Sequence, residues 1–87
     1  MSGARSRWAV YLLECADKTL YVGSTTDMKR RLAEHSAGKG GRYTRRRRPV
    51  RLLHQEMFPN RSAAQRREAQ LKRLPRARKL VLSSANG

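Results

Sequence analysis

The sequence predicts an α/β domain of the α+β kind, a three-stranded antiparallel sheet with flanking helices in the order ββαβαα. Three observations predict it. Two apolar runs, Trp8–Cys15 and Thr19–Gly23, flank a polar Ala16-Asp17-Lys18 break, the signal of a β-hairpin. A third apolar run, Val50–Phe58, stops at Pro59. The remaining stretches carry helix starts and stops: Ser24-Thr25-Thr26-Asp27 before one, Gly38 after it, and Pro75 between two more. The chain of 87 residues suits one domain over 1–87. A domain this small has a small core and no room for a large enclosed cavity.

Residues 1–7 are small and basic and read as a frayed arm; 83–87 read as a loose tail. In the first strand Trp8, Val10 and Leu12 alternate with Ala9, Tyr11 and Leu13, and both sets are largely apolar. That suits an inner strand covered on both faces. Cys15 is the sole cysteine, so no internal disulfide forms, and it reads as a small buried side chain. If the turn centres on Asp17, opposed residues sum to an even number. Tyr11 and Tyr21 then share one face of the hairpin, and a one-residue slip would separate them. The first helix is expected over Asp27–Ala37. Met28, Leu32 and Ser36 recur at i, i+4 and mark its core face. Arg31 and His35 have the same spacing on the flank of that stripe. Two phenols, a guanidinium and an imidazole could therefore converge on one patch.

The loop Gly38-Lys39-Gly40-Gly41-Arg42-Tyr43-Thr44 leads into Arg45–Arg48 and Pro49. Glycines free the backbone near a phosphate and arginines supply charge, so the loop reads as a nucleic-acid contact rather than a solvated basic loop. Tyr43 could stack on an unpaired base or anchor the loop on the core. Within the third strand His54 reads as structural or surface. A second helix is expected over Arg61–Leu74, capped by Asn60 or by Ser62 with Gln65. A last helix, Pro75–Leu82, offers Ala77, Leu80 and Val81 to the core.

Lys and Arg number 21 and Asp and Glu 6, a net charge of +15. The partner implied is anionic, and nucleic acid fits best. A membrane surface is the competing reading, but no apolar run approaches the roughly 20 residues of a spanning helix. The N-terminus lacks an apolar signal region, so a cytoplasmic location is expected. No feature specifies an oligomeric state.

The acids are Glu14, Asp17, Asp27, Glu34, Glu56 and Glu68. No two form a close metal-binding pair, which argues against a two-metal nuclease. Zinc clusters, P-loops and nucleophile triads are also absent from the pattern. What remains is a site of phenols, cations and one carboxylate, suited to phosphodiester cleavage with a single Mg²⁺. Arg31 offers a fork matched to phosphate, with Arg30 as its alternative. A tyrosine could act as general base if its pKa falls well below about 10. Glu68 falls on the apolar stripe of the second helix, with Ala64, Leu71 and Leu74. A carboxylate there needs a cation, either an arginine such as Arg31 or a metal.

The pattern Val10-Tyr11, then Tyr21-Val22-Gly23, then Arg31 and His35, resembles the GIY-YIG nuclease domain, and its small stand-alone bacterial members most of all. Both signature triplets are degenerate. Ala9-Val10-Tyr11 stands for Gly-Ile-Tyr and Tyr21-Val22-Gly23 for Tyr-Ile-Gly. The resemblance spans nearly the whole chain. It implies a Mg²⁺-dependent endonuclease, with Mn²⁺ as a possible substitute, that hydrolyses DNA with no covalent intermediate, in repair or recombination. It favours DNA over RNA; a chain of 87 residues, with no separate targeting domain expected, is read as recognising branched, nicked or single-stranded shapes over long sequences. It implies Tyr11 as base or water-positioner, Tyr21 and His35 as orienting or relaying groups, and Arg31 as the cation. It tips Glu68 toward the metal. It also implies Gly23, Lys39, Arg42, Tyr43, Thr44 and Arg45 as nucleic-acid contacts, partly through a Gly-Gly-x-x-Thr-like loop. The competing class is a basic module that binds DNA, RNA or ribosomes without cleaving.

Overall fold

Asp17 sits at the centre of the turn joining β1 (Trp8–Cys15) to β2 (Leu20–Thr25). Its carboxylate accepts from the Thr19 amide at 3.1 Å and the Thr19 hydroxyl at 2.6 Å, and Lys18 takes a positive φ of 70°. A short side chain that hydrogen-bonds the backbone two residues on is what an Asp supplies to a tight turn. The ladder follows from that centre: Ala9 pairs Thr25, Tyr11 pairs Gly23 and Leu13 pairs Tyr21. Tyr11 and Tyr21 therefore share a face, as their parity predicts. The structure, a computed structural model, describes residues 7–86.

β3 (Val50–Phe58) pairs antiparallel with the other side of β1, so the sheet order is β2-β1-β3 and β1 is central. A bulge at Leu12/Leu13 moves the partner from His54 to Leu52 and leaves Leu53 as the extra residue. Covering of β1 on both faces is observed. Val10 and Leu12 join Val22 in the core with Ala64 and Leu71 of α3 (Arg61–Arg73, defined below), while Tyr11 meets the helix that follows β2. Cys15 is buried.

That helix, α1 (Met28–Ser36), is capped by Asp27, which accepts from the Arg30 amide. It ends into Gly38, whose φ of 83° is left-handed. Its predicted core face is displaced. Ser36 is exposed and Met28 and Leu32 are only half-buried, whereas His35 is fully buried. The cause is chemical: polar atoms on the Arg31–His35 row find hydrogen-bond partners beneath the helix, so burying that row leaves none unsatisfied.

The loop beyond Gly38 contains a single helical turn, α2 (Arg42–Arg45), making the observed order ββααβαα. It starts after Gly41, whose φ of 140° suits glycine alone. Four residues with one aromatic among them carry no apolar period, which hid the turn from the sequence. α3 (Arg61–Arg73) begins at Asn60, which accepts from the Ala63 amide, so Asn60 is the cap and Ser62 is not. α4 (Arg76–Asn86) runs past the predicted end at Leu82 and takes in Ser83–Asn86, expected as tail. It presents Leu82 to the core rather than Val81, which is 59% exposed; Ala77 is exposed too. Of the predicted N-terminal arm, residues 1–6 lie outside those described.

At the seam of β3 and α3, Arg67 forks onto Glu56 at 2.7 and 3.0 Å, and His54 Nε2 lies 2.7 Å from the same carboxylate. The Arg67 guanidinium, before any other cause, holds the Glu56 carboxyl below its ordinary range. His54 belongs to this structural network. No described helix is long and apolar enough to cross a membrane.

Candidate active site

Tyr11 stands mid-way along the central strand and is 1% exposed. Its hydroxyl reaches across the ladder over Gly23, where a Cβ would collide with the phenol. There it meets His35 Nε2 at 2.9 Å and, more loosely, Arg31 Nε at 3.4 Å. Arg31 and His35, one turn apart on α1, thus converge on one oxygen. The other ring nitrogen, His35 Nδ1, lies 2.8 Å from Thr44 Oγ1 of α2. A Tyr11 hydroxyl that donates to Nε2 requires the imidazole proton on Nδ1, and the Thr44 hydroxyl can accept it. Gly40 lies against the His35 ring, where a Cβ would collide, and its carbonyl accepts from Arg31 at 2.8 Å. Arg31 also donates to Glu34 at 3.0 Å. Three of its five donors are therefore engaged and two remain for a phosphate oxygen.

An aromatic row runs outward from this point. Tyr21 packs on the His35 ring at 5.3 Å between centroids, and Tyr43 of α2 stacks on Tyr21 at 5.8 Å with a 29° tilt. The Arg47 guanidinium lies 4.0 Å over the Tyr43 ring and is held by Asp17 at 3.1 Å. On α3, Glu68 Oε1 accepts from Ser24 Oγ at 2.9 Å, while Oε2 pairs with Lys72 at 3.0 Å. Burial is the main cause that raises the Tyr11 pKa, and the Glu68 charge adds the least of the contributions that do so. Two tyrosines, a histidine, an arginine and the Glu68 carboxylate thus gather where the hairpin, α1 and α3 meet, with Glu34 paired to the arginine.

The chain matches the GIY-YIG catalytic domain over residues 7–80. It belongs to the GIY-YIG family. Relatives agree over most of their own length. A UPF0213 protein of Natronomonas pharaonis is 57% identical over 70 residues, covering 80% of this chain and 82% of that one. A UPF0213 protein of Syntrophus aciditrophicus is 53% identical over 78 residues, covering 88% and 90%. The solution NMR structure of a UPF0213 protein from Bacillus halodurans is 44% identical, with a TM-score of 0.60, covering 93% of this chain and 86% of that one. GIY-YIG membership places the chain in a nuclease family whose members act on nucleic acid and typically use a divalent metal.

The GIY-YIG residues of this chain depart from the sequence reading in several respects. Tyr11 is not a phenol of lowered pKa. Burial, the largest influence, pushes it above its ordinary value, and the Arg31 hydrogen bond only partly opposes this. Burial and then the charge of Arg31 push His35 down, so the imidazole is neutral and able to take a proton. Thr44 and Gly23, expected as nucleic-acid contacts, are buried within the fold. Thr44 supports His35, and Gly23 makes room for Tyr11. Tyr43, with Tyr21 and Arg47 packed on its ring, anchors the loop. Lys39, Arg42 and Arg45 are exposed. Arg31, not Arg30, reaches Tyr11; Arg30 makes only a loose, exposed pair with Glu34 at 4.0 Å.

Glu68 is not paired with an arginine. Its partners are Lys72 and Ser24, and its side chain is 21% exposed. Among the described residues no three His, Cys, Asp or Glu side chains gather to cage a metal. A single accessible carboxylate fits a hard ion such as Mg²⁺, which keeps most of its water and takes its remaining ligands from substrate phosphate. Sequence reasoning missed Ser24 and Gly40 as site residues. Gly40 carried a signal, one glycine of a Gly-Gly pair just past a helix end; Ser24 carried none beyond its place among capping residues.

Proposed function

We propose that the protein is an endonuclease that hydrolyses phosphodiester bonds in DNA with one Mg²⁺, for which Mn²⁺ can substitute. The observation that carries this reading is the convergence of His35 Nε2 and Arg31 Nε on the Tyr11 hydroxyl. Hydrolysis needs a positioned water, a route for its proton and neutralisation of charge at phosphorus. Tyr11, protonated at neutral pH, holds the water rather than deprotonating it unaided. As the water oxygen attacks phosphorus, its proton passes to the Tyr11 oxygen while the Tyr11 proton moves to neutral His35 Nε2. The P–O bond to the leaving strand breaks, its electron pair stays on the leaving oxygen, which takes a proton from solvent water, and no covalent bond to the enzyme forms. Thr44 holds the imidazole in the tautomer that can accept. The two free N–H groups of Arg31 face the charge that develops on the phosphate. Tyr21 packs His35 in place. A Mg²⁺ ion on Glu68 would supply the further charge neutralisation and water activation this chemistry requires.

Recognition of shape rather than sequence fits the same site, because the exposed groups of the loop surface are mostly cations, which contact backbone phosphates rather than base edges. Branched, nicked and single-stranded DNA are the favoured substrates, in keeping with a repair or recombination role.

The test is incubation of labelled branched, nicked, duplex and single-stranded DNA, and matched RNA, with Mg²⁺ or Mn²⁺. Metal-dependent product that disappears with Arg31→Ala is expected. Salt-dependent binding with no product under any metal would make the chain a binding module instead, and cleavage unchanged in Arg31→Ala would remove the site.

A further inference from the structure

The arginines between residues 42 and 48 fall into two groups. Arg47 is engaged by the fold's surface: Nε on Asp17 at 3.1 Å, a terminal nitrogen on the Tyr43 carbonyl at 2.9 Å, and its plane over the Tyr43 ring. Arg48 is turned back onto the chain, donating to the carbonyls of Arg45 at 3.0 Å and Ser36 at 3.5 Å. Arg42, Arg45 and Arg46 are exposed and, among the described residues, their guanidinium groups have no partner. They line an open groove of about 710 Å³ with Tyr43 and Arg47.

Arg45 and Arg46 follow Arg42 by three and four positions, so the three cations crowd one side of a single turn. Like charges at that spacing destabilise a helix. The turn nevertheless stays docked, through Thr44 on His35, Tyr43 on Tyr21, and Arg47 on Asp17. Three uncompensated guanidinium forks on a pre-organised turn present donors whose geometry matches phosphate oxygens. Because the turn stacks on Tyr21, the groove opens beside the catalytic patch.

We infer that this groove is a clamp for the phosphodiester backbone of a polynucleotide, with Arg42, Arg45 and Arg46 as its phosphate ligands. The inference rests on the nuclease reading for its ligand class. Three forked cations along an open groove match a string of phosphates better than one small anion. Tyr43, which also lines the groove, is 38% exposed but has Tyr21 and Arg47 packed on its ring, so the arginines are the groove's phosphate ligands.

The experiment is binding of a fluorescent 20-base-pair DNA duplex over a KCl series, in EDTA so that nothing is cleaved. For each phosphate neutralised, the log–log salt slope carries about 0.9. Replacing Arg42, Arg45 and Arg46 singly with Gln should each lower the slope by about 0.9, and together by about 2.7. Melting temperatures should stay near the parent's, since these side chains hold nothing else. A triple variant with the parent's slope overturns the clamp. So does polyglutamate binding as tightly as the duplex, which would mark a general anion surface. A parent that never cleaves with Mg²⁺ but shows the expected slopes defeats the nuclease reading and leaves the clamp standing.

Discussion

The Tyr11 hydroxyl lies over the α-carbon of Gly23, its partner across the β1–β2 ladder, with no space for a methyl group between them. Gly23→Ala should displace the phenol from His35 and Arg31. Overpacking of this kind costs about 1–3 kcal/mol. A lower melting temperature together with a large loss of cleavage is expected. A variant as stable and active as the parent would show that the ring has another place to go.

Glu68→Gln keeps the side chain's shape and removes its charge. The amide oxygen can still accept from Ser24, so the fold should hold, as circular dichroism would show. Cleavage should fall by about two orders of magnitude or more, in line with losing a principal charge from phosphoryl-transfer machinery. DNA affinity should stay the same or rise, because a negative charge has left a basic surface. Undiminished cleavage would show that Glu68 carries no metal.

His35 gives a pH signature. Its folded pKa lies below the ordinary 6.5, through burial first and Arg31 second. The unfolded chain therefore takes up a proton more readily than the folded one. Stability is complete above about pH 6.5 and declines as pH falls from there toward the folded value. The melting temperature should drop between pH 7 and pH 5. His35→Gln, which can still bridge Tyr11 and Thr44, should flatten part of that drop. Parallel profiles for parent and variant would place the titration elsewhere.

Tyr43 is tied to Tyr21 by its ring alone. Tyr43→Phe should therefore cleave like the parent. Tyr43→Ala removes a stack worth about 0.5–1.5 kcal/mol and frees Arg47. It should lower kcat by several-fold while Tyr43→Phe does not. If both variants fall equally, the hydroxyl rather than the ring is what matters.

Much of this was legible because local rules and tertiary packing agree. Asp17 marked the turn, and from it parity placed Tyr11 and Tyr21 on one face. Asp27 and Pro59 marked element ends where the structure has them. The misses share a cause. Thr44 and Ser36 exchange their expected environments because a buried imidazole accepts a hydroxyl and can bring a polar row inward. Hydrogen-bond partners 9 and 24 residues apart, as at His35, leave no period in a sequence. The pairing of Glu68 with Ser24 joins positions 44 apart, and nothing local announces it.

The order β2-β1-β3 gives the two halves of the site different lifetimes. Tyr11 sits on a strand flanked on both sides, so its amide should exchange with deuterated water only when the whole domain opens. The Arg42–Arg45 turn has few backbone bonds of its own and can undock without that event. Mild heating should then abolish any cleavage while the sheet is intact, and cooling should restore it, because the strand that carries Tyr11 never came apart.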